Sequence, residues 1–525
     1  MKEALLFLGL SLYASLGYAQ NEQRLVFNFA SPRQTIHSFG ASDCWRVQYI
    51  GKNWPIEKRN QIADLLFSSE LDSWGNPKGI GLSMWRFNIG SGSHEAGDNG
   101  GVASLWRRAE CFLDKEGDWD WDKQEGQRWM LQAARERGVR YSLGFSITAP
   151  YFMTKNGMAR ASEKTPYANI REDQFDDYAA FLAEVSTHLG LDYLSPINEP
   201  QWEWVGSGQE GMQATNEECS RLIHLLDKEL KRRESKTKVV FGEAGDIRYL
   251  YRSGTNKPER DNQLKEIFSK KGIHSIYGLS SVAPIVSGHS YWSTWPVDTL
   301  VQTRKELAEE LGKQLPANYT YWQTEYCPME QNPDNPRGGG GRDLGMNTAL
   351  YVARVIHHDL TVANAASWQW WTAFSEWNYK DGLIFIDDGT IADGASRGDE
   401  KMIETCKNDG VFRTSKLLWA LGNYSFFVRP GMVRLDGGAE MEEATSVMAS
   451  AYIDKSSKQV VVVLINYSEE NQKVDLSFQS LPNEYHAQKY KLFETSNRGD
   501  LQYKGIVGNK FEVPARSILT LVGVE

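Results

Sequence analysis

Between Thr35 and Leu421, eight apolar strand-like runs alternate with amphipathic helical runs. After Pro430 the helical periodicity gives way to short alternating runs separated by polar turns, and one isolated strand, Arg24–Phe29, precedes the repeating part. These observations predict an α/β chain: a (β/α)8 (TIM) barrel with a fused C-terminal antiparallel β-sandwich that also takes in the N-terminal strand. The alternative is a doubly wound open sheet. It is disfavoured because no Gly-rich phosphate turn follows the first strand. At 525 residues the chain exceeds one ordinary core, which suits one large unit and one smaller one. The expected divisions are residues 1–19, 20–34, 35–422 and 423–525.

The first division reads as an export signal. Lys2 is the basic start, Ala4 to Leu16 is apolar, and Gly17-Tyr18-Ala19 supplies small residues for cleavage near Ala19. The apolar run is too short to span a membrane, so a secreted or periplasmic chain is expected. In Arg24–Phe29, Leu25, Phe27 and Phe29 share one face. The barrel strands are expected at Thr35–Ser42, Gly81–Ile89, Val139–Ile147, Leu191–Asn198, Lys238–Glu243, Ala283–Ser290, Tyr319–Glu325 and Ala365–Trp371. Helices are expected at Glu57–Phe67, Gln124–Arg137, Phe175–Gly190, Asn216–Arg233, Thr299–Gly312 and Leu344–Val362. Thr215 and Glu218 form a capping box, and Gly138, Gly190 and Gly312 stand at helix ends. Beyond Pro430 the strands are Val447–Asp454, Gln459–Tyr467, Gln472–Phe478, Ala487–Phe493 and Ser517–Val522.

A net charge of −10 argues against nucleic acid or an anionic membrane as partner. The five cysteines are widely spaced with no CxxC, so they read as buried packing residues, and an odd number leaves at least one free. His357-His358 lacks zinc spacing, and neither metal nor cofactor is expected. Gly338–Gly341 lacks the Lys-Ser/Thr of a phosphate loop. No Gly-x-Ser-x-Gly elbow is present, which argues against an esterase. Asn-x-Ser/Thr sequons occur at Asn318, Asn423 and Asn466. A monomer is expected.

Chemistry is expected where strands end. Ser195-Pro196-Ile197-Asn198-Glu199-Pro200 delivers a carboxylate at the end of the fourth strand, because proline cannot extend the ladder. Glu325 ends the seventh. Two carboxyl groups in one cleft suit glycoside hydrolysis, with Glu199 as general acid/base and Glu325 as nucleophile. The acid must hold its proton, so apolar surroundings or a nearby carboxylate should raise its pKa. Asn198 can hold a sugar hydroxyl. Arg86, ending the second strand, could keep Glu325 ionised or be a structural ion pair. His289 and Tyr291 follow the sixth strand and could hydrogen-bond a carboxylate or substrate, though an ordinary core histidine is the alternative. Alternation puts Trp368 and Trp370 on one side of the eighth strand and Trp371 on the other, so at least one should pack in the barrel and at least one should floor a sugar site.

With these residues in hand, the chain resembles glycoside hydrolase family 30, retaining enzymes with a (β/α)8 barrel and a fused β-sandwich. The resemblance rests on Phe39-Gly40-Ala41-Ser42, Ser195–Pro200, Gly288-His289-Ser290-Tyr291, Thr324-Glu325 and Trp368–Trp371, and most specifically on Asn423–Gly431 at the exit to the sandwich. It implies the acid/base at Glu199 and the nucleophile at Glu325, with Asn198, Arg86, His289 and Tyr291 as neighbours and Asp43 and Trp371 lining the −1 subsite. Phe152 stands where the family commonly has Trp, which leaves the sugar contact there open. Members act on β-1,6-galactan, β-1,6-glucan, glucuronoxylan, glucosylceramide and small β-glycosides. The segment Gln201-Trp202-Glu203-Trp204 is similar to the galactanase branch, making β-1,6-galactan side chains of arabinogalactan the leading polysaccharide substrate. An exo-acting β-glycosidase, a glucanase or xylanase of the same family, and a glycan-binding protein on an inactive barrel are the alternatives.

Overall fold

The computed structural model describes residues 22–390, 404–438 and 446–525, so the expected export segment lies outside the described residues. β1 (Gln23–Thr35) leads into eight parallel strands: β2 (Ser38–Ser42), β3 (Met84–Ile89), β4 (Tyr141–Ser146), β5 (Tyr193–Ser195), β6 (Lys238–Ala244), β7 (Val282–His289), β8 (Thr320–Glu325) and β9 (Ala365–Trp371). They pair in sequence order, and β9 returns to β2 to close the barrel. Each coincides with one of the eight strands expected from the sequence. All eight are parallel, so their C-terminal ends open on one face, where side chains from distant parts of the sequence converge.

The six expected helices are present at Ile56–Phe67, Glu125–Glu136, Phe175–His188, Asn216–Arg232, Val297–Gln314 and Met346–Thr361. The Thr215 hydroxyl accepts from the Glu218 N–H, and the Glu218 carboxylate returns the bond to the Thr215 N–H. Gly138 and Gly190 have φ of 79° and 59°, the left-handed conformation that ends a helix. Gly312 does not end its helix: the chain stays helical to Gln314, and the stop falls at Leu315-Pro316. Among the described residues, no helix is long and apolar enough to cross a membrane.

After the barrel, β10 (Phe374–Ser375), β11 (Ile384–Asp387) and β12 (Val411–Thr414) form a small sheet, and helix Lys416–Ser425 follows. The remaining strands are β13 (Val433–Gly438), β14 (Val447–Ile453), β15 (Val460–Asn466), β16 (Gln472–Gln479), β17 (Lys489–Ser496), β18 (Gly499–Val507), β19 (Lys510–Val513) and β20 (Ser517–Val524). With β1 they make one nine-stranded order, β18-β17-β20-β15-β14-β13-β1-β16-β19. It is antiparallel except where β1 runs parallel to β16. Val474 and Leu476, near one end of this order, share an apolar cluster with Tyr490, near the other. The sheet therefore folds over its own apolar face, which gives the two layers of a sandwich.

The strands in the middle of that order are covered on both sides. Val460, Val462 and Leu464 enter the core of the folded sheet, while Val461, Val463 and Ile465 join the core shared with the barrel helices. Burial on both faces removes the polar alternation and explains the uninterrupted run Val460–Ile465. The five cysteines are buried and free.

Asn423 locks this junction. Its amide donates to the Trp419 carbonyl and the Thr495 hydroxyl (2.9 and 2.6 Å), and its Oδ1 accepts from the Thr520 hydroxyl at 3.0 Å. Asn466 is likewise buried, with its amide on the Glu470, Val513 and Pro514 carbonyls. Neither sequon can carry a glycan in this fold; Asn318 is exposed. Asn423→Ala leaves buried polar partners unsatisfied and should cost about 1–3 kcal/mol. Asn318→Ala should stay within about 0.5 kcal/mol of wild type. Urea denaturation of the two variants side by side measures the difference.

Candidate active site

Arg86 rises from β3 into the barrel mouth and is fully buried. One guanidinium nitrogen donates to Glu325 Oε2 at the end of β8. The other donates to Asn198 Oδ1 (2.8 Å) and to Glu243 Oε2 (2.7 Å) at the end of β6. The guanidinium also lies over the Phe145 ring, 3.8 Å from its centroid. Tyr291 donates its hydroxyl to Glu325 Oε1 at 3.1 Å, so both oxygens of that carboxylate are engaged.

His289 ends β7. Its Nδ1 lies 2.8 Å from Glu199 Oε1 and its Nε2 lies 3.2 Å from Glu243 Oε2. Burial works against an imidazolium, but the charge of Glu325 and the acceptors on Glu199 and Glu243 outweigh it and lift the His289 pKa to about 10. Burial also works against a Glu243 carboxylate, yet the Arg86 charge and His289 hold that group at about 2. Burial raises the Glu199 carboxyl above its ordinary value; Glu325 adds to the rise and His289 opposes it. Glu199 Oε2 has no hydrogen-bond partner among the described residues.

The local backbone is shaped for this. β6 bulges against β7 between Phe241 and Ala244. Gly242 sits there at φ 122°, and a Cβ on it would meet the Ser287 carbonyl oxygen at 2.2 Å, so only glycine fits. The bulge turns the next side chain, Glu243, into the barrel, where Thr324 donates to its Oε1 at 3.0 Å. Glu199 and Glu243 both have positive φ (47° and 42°), uncommon for residues with a Cβ, and are tied together because the Glu199 N–H donates to the Glu243 carbonyl at 3.0 Å.

A cleft of about 260 Å³ lies over this cluster, lined by Ile147, Asn198, Glu199, Trp202, Trp204, Gln209, Tyr291, Trp292, Glu325, Met329 and Trp371. The cleft thus brings together Asn198, Glu199, Trp202, Tyr291, Glu325 and Trp371 of the expected set, with Arg86 and His289 directly beneath. Trp368 and Trp370 pack on the other side of β9; Trp368 donates to Asp359 on helix Met346–Thr361.

Asp43 differs from expectation. It is fully buried, its Oδ1 accepts from the Trp45 and Val47 N–H groups and its Oδ2 from Phe374 N–H, so it organises the turn after β2 and does not line the cleft. Burial lifts its carboxyl to about 6, against Arg46 and those N–H donors. Phe152 packs against the main core and is likewise not part of the cleft wall.

Glu243 went unrecognised in the sequence, although it ends the fifth expected strand just as Glu199 and Glu325 end theirs. Trp204 and Trp292 flank expected residues and were equally readable. Trp292 is 48% exposed at the rim.

One ligand atom each from Glu199, His289 and Glu325 lies within 4.8 Å of the others, a spacing that could bracket a cation. Those donors are already committed to charges of the protein itself: Arg86 meets Glu325 and His289 meets Glu199.

Comparison with known proteins follows the same lines. The chain is 22% identical over 398 residues to an endo-β-1,6-galactanase from Hypocrea rufa, covering 71% of each protein. It superposes with a TM-score of 0.87 and 38% identity on a conserved exported protein from Bacteroides fragilis, covering 95% of this chain and all of that one. The catalytic domain of xylanase C from Talaromyces cellulolyticus shares the fold at a TM-score of 0.65 and 17% identity, with 96% and 100% covered. The family model for O-glycosyl hydrolase family 30 matches residues 22–385, and the chain belongs to that family.

Proposed function

We propose that the protein is a retaining glycoside hydrolase in which Glu325 is the nucleophile and Glu199 the general acid/base. The carrying observation is the carboxyl pair: one oxygen of each lies within 4.8 Å of the other. This suits a double displacement, which needs about 5 Å, rather than an inverting reaction, which needs about 6.5–9.5 Å to fit a water between.

The environments divide the roles. Glu325, held by Arg86 and Tyr291, attacks the anomeric carbon as the glycosidic C–O bond breaks. Glu199 Oε2, without a hydrogen-bond partner among the described residues, passes its proton to the departing oxygen. A glycosyl ester on Glu325 results. In the second step the Glu199 carboxylate takes a proton from water, the water oxygen attacks the anomeric carbon, and the ester bond breaks to free Glu325. Asn198, fixed by Arg86, is placed to meet a hydroxyl of the same sugar. Trp371, Trp202, Trp204 and Trp292 offer flat faces to neighbouring rings.

The substrate we favour is β-1,6-galactan. The relationship to the Hypocrea galactanase and the Trp202–Trp204 segment support it. We also infer export, on the basic, apolar and small-residue pattern of residues 1–19 and on the likeness to the exported Bacteroides protein.

Three tests follow. Glu199→Gln should lower turnover of poor leaving groups by about 10²–10⁴-fold and that of activated aryl glycosides far less. Glu325→Ala should be nearly inert, with azide restoring partial turnover and yielding the α-azide. Equal loss on both substrate types removes Glu199 from the acid/base role, and full residual turnover removes Glu325 as nucleophile. Incubation with β-1,6-galactan, β-1,6-glucan and glucuronoxylan should give an oligosaccharide ladder from the galactan. One small product from the outset would mean exo action, and cleavage of another polymer alone would move the substrate and leave the chemistry. Binding without turnover of any glycan would make this a glycan-binding protein. N-terminal sequencing of the mature protein should begin at Gln20, and a protein beginning at Met1 outside the cell would refute cleavage.

A further inference from the structure

Glu243 is fully buried and does not reach the cleft, so it acts on substrate only through other groups. Its Oε2 takes hydrogen bonds from Arg86 and from His289 Nε2, and its Oε1 takes one from Thr324. The other face of the same imidazole meets Glu199 Oε1 at 2.8 Å and lies 3.8 Å from Glu325 Oε1. One ring thus touches all three carboxyl groups of the site.

We propose that Glu243 is a positioning residue that keeps His289 doubly protonated, so that one imidazolium serves whichever of Glu199 and Glu325 carries the negative charge. The inference rests on the double-displacement reading. In the resting site, Arg86 and His289 are the cations, Glu243 and Glu325 the anions, and Glu199 is neutral. When Glu199 gives up its proton and Glu325 becomes an ester, the anions are Glu243 and Glu199. The count of charges is the same before and after. The negative charge moves from Glu325 to Glu199 across a fixed cation, and the buried cluster never carries a net charge, whose desolvation would be expensive.

Glu243 makes this possible because it supplies a permanent anion. Without it, His289 Nε2–H would face no carboxylate, and the two cations would share a single anion in each state. The imidazole would then give up its proton more readily and would stabilise the Glu199 carboxylate less as it forms. Among the described residues, Tyr291, Tyr321, Cys327 and Cys44 are further ionisable groups near the cluster, all buried and pushed well above their ordinary values by that burial, so they stay neutral. The charge state of His289 is therefore left to Arg86 and the three glutamates.

The test begins without substrate. In the full chain labelled with ¹⁵N-histidine, with the His289 signal identified by its loss in His289→Gln, both ring nitrogens should carry protons at pH 8. In Glu243→Gln, an isosteric change, the His289 titration should fall by about one pH unit or more. In turnover, Glu243→Gln should lower kcat on poor leaving groups by about 10–100-fold with little change in KM. The loss should be smaller on activated aryl glycosides. The basic limb of kcat/KM should move to lower pH, because removing an anion makes the remaining acids stronger. Glu243→Asp should recover part of the shift. A neutral His289 in the wild type at pH 7 overturns the proposal whatever the variants do. So does a Glu243→Gln protein with unchanged His289 titration and equal loss on all leaving groups. Because the resonance is read without turnover, a charged His289 in a chain inactive on every glycan would refute the hydrolase reading and not the pairing.

Discussion

Four strands of the barrel meet at the guanidinium of Arg86, which leaves β3 and holds Asn198 beyond β5, Glu243 on β6 and Glu325 on β8. A cation taken this far from water costs several kcal/mol before any partner is counted. Two carboxylates and the face of Phe145 offset that cost here. Apolar side chains of similar volume would make an equally stable barrel plug, so fold stability alone does not account for the charges. What they add is geometry. A planar fork with fixed donor directions places three acceptors from three strands relative to one another, which a lysine could not do.

The arrangement also separates two chemically identical groups. Glu199 and Glu325 are both buried glutamates a few ångströms apart, and two such groups resist simultaneous ionisation. Of the two, only Glu325 takes hydrogen bonds from Arg86 and Tyr291. Glu199 meets His289 through one oxygen and leaves the other to the cleft, with its carboxyl raised by burial. In the proposed mechanism the first attacks and the second donates a proton, which is the division of labour a retaining glycosidase requires.

Most of this architecture was legible in the sequence because its signals are local. Each barrel strand is an apolar run between polar segments, and each catalytic candidate sits where such a run stops. Trp371 was placed opposite Trp368 and Trp370 by the two-residue period alone. Harder to read were features set by tertiary contact. The folding of nine strands into a single order depends on which edges meet, and β13, β18 and β19 are weak signals because β19 is four residues long and β13 and β18 contain glycines. The family resemblance implies a subsite role for Asp43, just after the first strand. Its oxygens are spent on backbone N–H groups, one of them 331 residues away, and no sequence spacing reveals that. Glu243 was within reach of the strand-end rule but stood beside a glycine, a residue that otherwise suggests a turn rather than a bulge.

That glycine joins the backbone to the chemistry. A Cβ at Gly242 would overlap the Ser287 carbonyl, so any other residue must push β6 from β7 and relax the bulge. Relaxing it would release Glu243 from its positive φ and, through the hydrogen bond from Glu199 N–H to the Glu243 carbonyl, shift the backbone that presents Glu199. Glu199 itself has positive φ, a conformation that costs of order 1 kcal/mol or more and persists only when neighbours over-determine it. Here the neighbours are the Glu243 carbonyl, the Trp202 N–H and the Trp204 indole, the last two donating to the Glu199 carbonyl. The same tryptophans line the cleft. In the proposed mechanism, the side chains offered to a sugar therefore also brace the strained turn that aims the acid at it, which couples the position of the proton to the shape of the binding surface.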